Sequence, residues 1–569
     1  MSKSYKKECL LSKNGYEIFT INELFIHSKY DPIREAKLIV EKNFIPDVHY
    51  LLFGYGKGYI FDELLLNIKN SNARILIVDP LFDVTNLKGE QFKGISINQI
   101  TESFLLNYFG TTNDIKCLIS PNYEKLCPEE VKDVLKRLKD FISIKSISNN
   151  TIRKDALMWN LNYINNLYYL PKDKSIKILN NKFNLPVVIA SGGPSLKKQL
   201  QLLKKNREKC ILIAAGSTIN SLLAADIEPD FLISIDGKKE NLNHYKDLNL
   251  KNTIFIYSFQ SFSGIREVIN QPSLYFLGED MHNQKAKLED TFKIDLACLS
   301  GGGSVANYAL TFARFISSGP IALLGQDLAY TDNKSHADNN IGQVQIDENF
   351  IAERKAFYTE GYYGNEKVLT DYAFFSMKKS FEHLMEILPQ TKTIFNCTEG
   401  GINIEKMNKI SFNSFIENYM KNSDHRFDLY LLKKNILKQS QEYSSLLKFF
   451  KEELKDLNKL KSLLKKNLRI LENSEGKNCY SSSDLEILNI NDMKINKISV
   501  NTCISPAMSL INLEVLTRFK QGKNETNTEK FRRVNTQSEF LYKSILELTE
   551  KVSDEINEMI SRIKFNIQN

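Results

Sequence analysis

The chain has 569 residues, which is too long for a single hydrophobic core and predicts two to four domains. Its hydrophobic content of 42% and charged content of 25% are ordinary for a globular protein. The net charge of +8 is small for this length and the lysines are spread along the chain, which argues against a dedicated nucleic-acid-binding protein. No apolar run reaches membrane-spanning length, so we expect no membrane insertion.

The cysteines and the N-terminal residues predict a cytoplasmic location. The eight cysteines stand singly, without a Cys-x-x-Cys pattern or a His/Cys cluster, so neither a disulfide framework nor a metal site is predicted. Reduced thiols are typical of the cytosol. No long apolar core follows the first residues, which argues against a secretory signal.

The first region, residues 1–150, has the pattern of a Rossmann-like domain behind a hairpin. An Asn-Gly pair at 14–15, flanked by apolar stretches, is a strong hairpin signal. A strand pattern leads into the glycine-rich loop 54–58, and a second strand pattern ends at Asp79. This order is typical of a nucleotide site for S-adenosylmethionine or a dinucleotide. The loop departs from the dinucleotide form and no methyl-transfer motif follows, so we favour an inherited scaffold without a ligand.

The second region contains six short apolar runs that are separated by helical patterns or loops. Strands that alternate with helices predict a largely parallel sheet covered on both faces. Ligands of such sheets bind at the carboxyl ends of the strands, so the residues after each run are the candidates for a site. The six runs are 187–190, 211–215, 231–236, 254–258, 274–277 and 321–324.

A glycine-rich turn follows the first run and precedes a helical pattern. Glycine lets the main chain approach a ligand closely, and the N–H groups at a helix N-terminus favour a phosphate. The turn therefore predicts an anion site for a nucleotide or nucleotide sugar, although Gly-Gly-Pro is also common turn chemistry. Its residues are Ser191, Gly192, Gly193, Pro194 and Ser195.

Polar residues also follow the second and third runs. A glycine and two hydroxyls after the second run could bind a ribose or phosphate, or could simply cap a helix. The Asp-Gly pair after the third run could contact ribose, hold a metal or act as a base, or could be an ordinary turn. No second acid lies two residues away, so the Asp-x-Asp metal pattern is absent. These candidates are Gly216, Ser217, Thr218, Asn220, Asp236 and Gly237.

A second glycine-rich turn, at 300–303, opens a predicted amphipathic helix that extends to about residue 315. Glycine loses more backbone entropy on folding than other residues do. Three consecutive glycines are therefore explained better by a backbone that binds a phosphate or a sugar carboxylate than by a purely structural turn. The candidates from this turn and the start of its helix are Gly302, Gly303, Ser304 and Asn307.

The densest polar group follows the sixth run. Histidine is the side chain best suited to proton transfer near neutral pH. We therefore expect His336 to be the catalytic base, with Asp327 as the alternative, although His336 could equally be an ordinary surface histidine. Two further nucleotide-sugar-binding candidates from this segment are Gln326 and Tyr330.

Several of these motifs occur together in a known family. Residues 187–196, 229–237, 301–307 and 325–332 resemble the motility accessory factor family of flagellin-modifying glycosyltransferases, and residues 27–36 add to the resemblance. The central domain of that family is similar to bacterial sialyltransferases, which use a CMP-activated nine-carbon sugar. It is also similar to an archaeal-type pterin pyrophosphokinase family, which uses ATP. The Ser-Gly-Gly-Pro-Ser-Leu opening departs from the sialyltransferase form, Gly-x-Gly-Pro-Ser-Leu, at its first position.

The resemblance implies transfer of a sialic-acid-like nonulosonic acid, legionaminic or pseudaminic, from CMP to Ser or Thr of flagellin, as flagellar assembly and motility require. The CMP-sugar would be a donor rather than a permanently bound cofactor, and nothing in the spacing requires a metal. The CMP phosphate would lie on residues 192–195, cytidine near 216–220 and Asp236, and the sugar carboxylate near 302–307. The implied partners are flagellin and, as a further candidate, a flagellin chaperone.

The third region shows leucine and isoleucine at helical spacing over 425–472 and 536–566, with lysines between them. This helical domain could dock flagellin, or could be a structural cap or a dimer contact. The complete prediction is an α/β protein with a Rossmann-like N-terminal domain at 1–150, a connecting helix and linker at 151–185, a central Rossmann-like sialyltransferase-type domain with a mostly parallel sheet at 186–410, and a helical C-terminal domain at 411–569.

Two other function classes are compatible with parts of the sequence. An ATP-dependent pyrophosphokinase of a pterin-like substrate would share the central fold, but the two large extra regions and the lack of a P-loop motif argue against it. A non-catalytic flagellin-binding factor would not need the glycines at two ligand turns. A methyltransferase that uses residues 50–79 is a minor further alternative. The fold alone does not decide among these classes.

Overall fold

The computed structural model describes residues 5–69, 71–110, 114–421, 429–436, 442–475, 479–522 and 525–568. The chain forms two compact units. The first comprises Met1–Asn150, Glu475–Cys479 and Leu513–Ser538, and the second comprises Thr151–Ser474, Tyr480–Asn512 and Glu539–Asn569. Among the helices of these described ranges, none is both long enough and apolar enough to cross a membrane.

The first unit contains a small antiparallel sheet followed by a Rossmann-like parallel sheet. Its elements in chain order are β1 (Lys7–Leu11), β2 (Glu17–Ile21), β3 (Leu24–Phe25), α1 (Pro32–Asn43), β4 (His49–Phe53), α2 (Tyr59–Ile68), β5 (Ile75–Val78), β6 (Phe92–Ile95), α3 (Glu102–Phe109), β7 (Ile115–Ile119), α4 (Tyr123–Leu126) and the first part of α5 (Pro128–Asn166), a helix whose residues from Thr151 on belong to the second unit. The predicted hairpin is confirmed, because β1 and β2 pair antiparallel and Gly15 turns between them at φ +80°. The parallel strands lie in the order β6-β5-β4-β7.

The parallel sheet of the first unit is buried on both faces. Successive side chains of a strand point to opposite faces, so a strand buried on both sides is a continuous apolar run. In β4, Leu51 and Phe53 pack into one hydrophobic cluster, whereas Tyr50 and Leu52 pack into another. All four side chains are at most 1% exposed, which explains why the sequence of β4 shows no alternation with polar residues.

The second unit contains the large sheet that the six apolar runs predict. Its elements are β8 (Lys174–Ser175), β9 (Val187–Ala190), α6 (Leu200–Lys205), β10 (Ile211–Ala215), α7 (Thr218–Ala224), β11 (Phe231–Ser234), β12 (Ile254–Ser258), α8 (Ser263–Val268), β13 (Ser273–Gly278), α9 (His282–Phe292), β14 (Cys298–Leu299), α10 (Val305–Ile316), β15 (Ile321–Leu324), α11 (Glu348–Arg354), β16 (Phe357–Glu360), β17 (Lys367–Thr370), α12 (Tyr372–Ile387), β18 (Ile394–Asn396), β19 (Asn408–Lys409) and α13 (Phe412–Phe415). All six runs form strands of one sheet, as predicted.

The strand order of this sheet creates a crevice at its centre. The order is β14-β13-β12-β11-β10-β9-β15-β18-β19, with β8 beside β13, and every pairing is parallel. From β9 the chain builds outward through β10 on one side, and it later builds outward from β15 on the other. The loops after β9 and β15 therefore diverge, which is where open α/β sheets bind their ligands.

The C-terminal region is helical, as predicted. Its helices are α14 (Leu429–Ile436), α15 (Tyr443–Glu475), α16 (Ser482–Asn501), α17 (Met508–Arg518) and α18 (Asn527–Gln568). In α15, Leu457, Leu460 and Leu464 are fully buried at spacings of three and four residues, which is the packed stripe of an amphipathic helix. Residues 425–428 and 437–441 of the predicted helical stretch lie outside the described residues. The chain is thus an α/β protein with two Rossmann-like sheets and a helical C-terminal region.

Candidate functional site

A cavity of about 450 Å³ lies at the carboxyl ends of β9, β10, β11 and β15. Parallel strands bring their carboxyl ends to one edge of the sheet, so residues that are far apart in sequence meet there. Twelve of the predicted site residues line this cavity, namely Ser191, Gly192, Gly193, Gly216, Ser217, Thr218, Asp236, Gly303, Ser304, Gln326, Asp327 and His336.

Free backbone donors surround the cavity on three loops. The N–H groups of Gly192, Ser217, Gly303 and Ser304 have no hydrogen-bond partner among the described residues. The Ser304 hydroxyl accepts a hydrogen bond from the N–H of Ala306 at 3.2 Å, which caps the twelve-residue helix α10. A helix N-terminus carries a partial positive charge, so this side of the cavity favours an anion.

The turn after β9 offers fewer donors than the sequence predicts. The N–H of Gly193 donates to the carbonyl of Gly325 at 2.8 Å, Pro194 has no N–H, and the N–H of Ser195 donates to Asp327 at 3.1 Å. Residues 194–198 form a short 3₁₀ helix, and α6 starts only at residue 200. Within this turn, the predicted phosphate contact is therefore left with the N–H of Gly192.

Asp327 serves as an internal partner of this turn. Its carboxylate accepts hydrogen bonds from the Ser195 hydroxyl at 2.6 Å and from the Thr331 hydroxyl at 2.7 Å. The residue is 1% exposed, and burial raises the pKa of its carboxyl. A Cβ atom on Gly193 would overlap Asp327 Oδ1, so this glycine makes room for the carboxylate rather than for a ligand. These contacts favour a positioning role for Asp327 over a role as base.

His336 lies on a loop that is tied to the ends of β9 and β10. The N–H of Ala337 donates to the carbonyl of Gly192 at 2.8 Å, and Asn340 Nδ2 donates to Ser217 Oγ at 3.0 Å. A Cβ atom on Gly192 would lie 3.6 Å from His336 Cδ2. The imidazole is therefore held beside the free N–H groups of the first two loops.

The neighbours of His336 set its hydrogen position. His336 Nδ1 lies 3.0 Å from Ser335 Oγ, which also accepts a hydrogen bond from the N–H of Val344 at 2.8 Å. The Ser335 hydroxyl lies 3.4 Å from the carbonyl of Gly342 and can donate to it, and on this ground we assign the Nδ1 hydrogen of His336 to Ser335, which makes Nε2 the acceptor. Burial lowers the pKa of His336 below its usual value, nearby His244 lowers it further, and a hydrogen bond to the backbone of Gly342 opposes the shift. In this tautomer the neutral imidazole can take up a proton at Nε2.

Asp236 lies on the same cavity wall as Ser217. Tyr245 Oη donates a hydrogen bond to Asp236 Oδ2 at 3.3 Å, and burial raises the pKa of the Asp236 carboxyl. Among the residues that the structure describes, no three His, Cys, Asp or Glu side chains are grouped so that they could hold a metal ion. Asp236 therefore lines the cavity as a polar group that belongs to no such cluster of the described residues.

Four predicted site residues are held elsewhere by their own packing. A Cβ atom on Gly237 would lie 2.6 Å from Trp159 Cδ1, so this glycine accommodates the tryptophan ring. Gly302 turns at φ +61° beside Ser380. The hydroxyl of Tyr330 donates to Asp371 at 2.8 Å inside a small hydrophobic cluster. Asn307 is fully buried in α10, and its side-chain atoms have no hydrogen-bond partner in the described ranges.

The other three predicted residues support the cavity from outside. Pro194 and Ser195 lie in the buried 3₁₀ turn, and Asn220 Nδ2 donates to the carbonyl of His244 at 3.2 Å. Sequence reasoning missed His244 although it follows the third strand, because its candidates stopped at the Asp-Gly pair. The cavity-lining residues that the sequence analysis did not select include Asn241, His244, Ser335, Gly342, Phe374 and Met377.

The glycine loop of the first unit, residues 54–58, is bonded to the protein itself. Asp79 Oδ2 accepts hydrogen bonds from the N–H groups of Tyr55 at 2.7 Å and Gly56 at 3.1 Å, and from the hydroxyl of Tyr123 at 2.7 Å. An aspartate in this position of a Rossmann site would instead contact ribose hydroxyls. The carboxylate of Asp79 thus already accepts hydrogen bonds from the protein at the position where it would accept those of ribose hydroxyls.

Side chains also fill the space beside this loop. The N–H of Lys57 donates to His27 Nε2 at 3.0 Å. A Cβ atom on Gly56 would lie 2.5 Å from the His27 ring, and one on Gly54 would lie 2.6 Å from the Tyr123 ring. These glycines are therefore required by internal packing, which supports the interpretation of an inherited scaffold without a nucleotide.

Two groups of known proteins share parts of this architecture. Residues 161–333, less than a third of the chain, match the family described as 6-hydroxymethylpterin diphosphokinase MptE-like. The solved structure of the MAf glycosyltransferase from Magnetospirillum magneticum AMB-1 is similar with a TM-score of 0.56 and 13% sequence identity, over 100% of this chain and 96% of that chain. No curated protein sequence matches the chain. The chain therefore shares its fold from end to end with a MAf glycosyltransferase, and its central sheet carries the MptE-like match.

Proposed function

We propose that the protein is a glycosyltransferase that moves a nonulosonic acid, legionaminic or pseudaminic, from a CMP-activated donor to Ser or Thr hydroxyls of flagellin in the cytoplasm. One observation carries the proposal: the oriented imidazole of His336 lies beside free N–H groups in a single cavity. An acceptor for a proton and donors for a phosphate are the two groups that sugar transfer from a nucleotide to a hydroxyl needs. The fold shared with a MAf glycosyltransferase supports the same class of reaction.

The charges around the cavity fit a phosphodiester better than a triphosphate. No Lys or Arg side chain of the described residues lines the cavity, and its positive character comes from N–H groups and the N-terminus of α10. The carboxylates of Asp236 and Asp327 lie at the same cavity. A CMP-nonulosonic acid carries one negative charge on its phosphodiester and one on its sugar carboxylate, at separate places, whereas a triphosphate carries several on adjacent phosphates, so the CMP-sugar needs less compensation at any one point.

The proposed reaction breaks the bond between the anomeric carbon and the phosphate oxygen. The electron pair stays on that oxygen, and CMP leaves from an oxocarbenium-like sugar. The acceptor oxygen then bonds to the anomeric carbon while its proton passes to His336 Nε2 and from there to solvent. We place the phosphate at the N–H groups of Gly192 and Ser217, cytidine near Asp236, and the sugar carboxylate at the N–H groups of Gly303 and Ser304. Positioning and charge stabilisation supply most of the catalysis.

A second candidate is ATP-dependent pyrophosphoryl transfer to a pterin-like substrate. The match of residues 161–333 to the MptE-like family favours it, because this segment includes all four strands whose carboxyl ends border the cavity. The same free N–H groups would then bind phosphates of ATP. The two candidates differ in the nucleotide that binds, so a binding measurement separates them.

The test is thermal unfolding of the full chain with CMP, CDP, ATP and S-adenosylmethionine. A ligand that binds only the native state raises the apparent stability by RT ln(1 + [L]/Kd). We expect stabilisation by CMP and a mass shift of flagellin incubated with a CMP-nonulosonic acid and the protein. Stabilisation by ATP without CMP would replace the proposal with the pyrophosphokinase. If none of the four ligands stabilises the protein and flagellin shows no mass shift, a flagellin-binding factor would replace the proposal.

A further inference from the structure

The two histidines of the cavity have different hydrogen-bond surroundings. Nδ1 of His336 faces Ser335 Oγ at 3.0 Å. Nδ1 of His244 is enclosed and has no hydrogen-bond partner among the described residues. Both side chains line the cavity, and a Cβ atom on Gly342 would lie 3.8 Å from His244 Cε1 and 3.9 Å from His336 Cε1. The two rings therefore border the same small volume.

His244 ends a short 3₁₀ helix, Lys239–His244, which is fixed to the side of the cavity where we place the nucleotide. Asn220 Nδ2 donates to the carbonyl of His244 at 3.2 Å, and the N–H of Asn220 donates to the carbonyl of Ser217 at 3.3 Å. Ser217 carries one of the free N–H groups on which we place the phosphate. Asn220 therefore links His244 to Ser217, and thus to the predicted phosphate position.

The enclosed nitrogen of His244 indicates where its hydrogen lies. A buried N–H without a partner is rarer in proteins than an unpaired acceptor, so the hydrogen belongs on Nε2. Burial lowers the pKa of His244, and the nearby carboxyl of Asp236 opposes this shift. Among the described residues, His336 and Tyr245 are further titratable groups close to this ring. A neutral ring with Nε2–H is a hydrogen-bond donor.

We propose that His244 is a second substrate-contacting histidine, whose Nε2–H donates a hydrogen bond to the phosphate of the nucleotide-activated sugar. This inference rests on the proposed function, because it needs a nucleotide phosphate at Gly192 and Ser217. His336 and His244 then hold their hydrogens on opposite nitrogens: His336 accepts the proton of the acceptor hydroxyl, and His244 stabilises the charge that gathers on the leaving phosphate. No bond is made or broken at His244.

Two amide substitutions test the assignment of the hydrogen. The side-chain nitrogen of glutamine can take the place of Nε2, and that of asparagine the place of Nδ1. We expect His244→Asn to raise the Kd of CMP about tenfold to a hundredfold, as for the loss of a hydrogen bond to a charged group. His244→Gln should retain most of the affinity. His383→Asn, which alters a half-exposed histidine on α12 that does not line the cavity, is the matched control and should change nothing.

Cytidine separates a phosphate contact from a structural effect. Because cytidine lacks the phosphate, its Kd should be the same in the wild type and in His244→Asn, and only CMP binding should weaken. Equal losses for CMP and cytidine, or unchanged CMP affinity in His244→Asn, would overturn this inference while leaving the proposed function in place. Absence of CMP binding in the wild type would overturn both.

Discussion

Ser195 donates both its backbone N–H and its hydroxyl to the carboxylate of Asp327, at 3.1 and 2.6 Å. The carboxylate thus occupies the anion position that a glycine-rich turn before a helix commonly offers to a phosphate. The free donors of the cavity lie on the neighbouring residue Gly192 and on the loops of Ser217 and Gly303. The carboxylate of Asp327 therefore stabilises the turn, and the backbone donors that remain for a ligand lie on the loops around it.

Removal of this carboxylate should weaken the fold. In Asp327→Ala, the N–H of Ser195 and the hydroxyl of Thr331 lose their acceptor inside the protein, which should lower the free energy of unfolding by about 1–3 kcal/mol. Denaturant-induced unfolding measures this loss. The matched control is Asp290→Ala, because the Asp290 side chain is 86% exposed and its loss should cost less than about 0.5 kcal/mol. Equal stability of the two variants would refute the positioning role.

A methyl group at Gly303 should block the ligand without disturbing the fold. A Cβ atom on Gly303 meets no heavy atom within 4 Å, and Gly303 lines the cavity. We expect Gly303→Ala to unfold at the wild-type temperature but to bind the CMP-sugar about tenfold more weakly, since a methyl group would take up ligand space. Isothermal titration measures the affinity. Gly522→Ala, at another open glycine, which does not line the cavity, should leave both properties unchanged.

Loss of the imidazole at His336 should affect turnover more than binding. Because the ring acts as base through Nε2, His336→Ala should lower kcat about 10²–10⁴-fold. The Kd of CMP should change less than about twofold, since the donors of Gly192 and Ser217 remain. Transfer kinetics and CMP titration of the same preparation give both values. Wild-type turnover in this variant would remove His336 from the mechanism.

The stability of the chain should depend on pH through His27. Burial lowers the pKa of His27 from about 6.5 to about 4, and nearby Lys57 adds to this shift. The unfolded chain therefore binds more protons between these pH values, so this contribution is complete above about pH 6.5 and is lost as the pH falls toward 4. The full effect is about 3 kcal/mol.

Comparison of the wild type with His27→Gln isolates this contribution from those of the other histidines. A glutamine side-chain oxygen can accept the N–H of Lys57 but does not titrate. As the pH falls from 7 to 4.5, the free energy of unfolding should therefore decrease more for the wild type than for His27→Gln. Parallel pH curves of the two proteins would contradict the neutral, buried state of His27.

The local sequence pattern was sufficient to predict the strands and helices named below. The strands β9, β10, β12 and β15 coincide with apolar runs, because a strand buried on both faces is apolar at every position. Helix α10 begins after the glycine-rich turn at 300–303 because Ser304 caps it. The parallel sheet then follows from alternation of strands and helices, and it brings the loop residues to one edge.

Tertiary contacts decided which polar groups remain for a ligand. The sequence around Ser195 does not indicate that the carboxylate of Asp327 accepts the hydrogen bonds of Ser195. The sequence around Gly56 likewise does not indicate that the ring of His27 packs against this glycine. His244 and His336 meet only because their loops fold over the same strand ends. A hydrogen-bonding group is available to a ligand when no internal partner reaches it, and those partners come from distant segments that only the packed sheet brings within hydrogen-bonding distance.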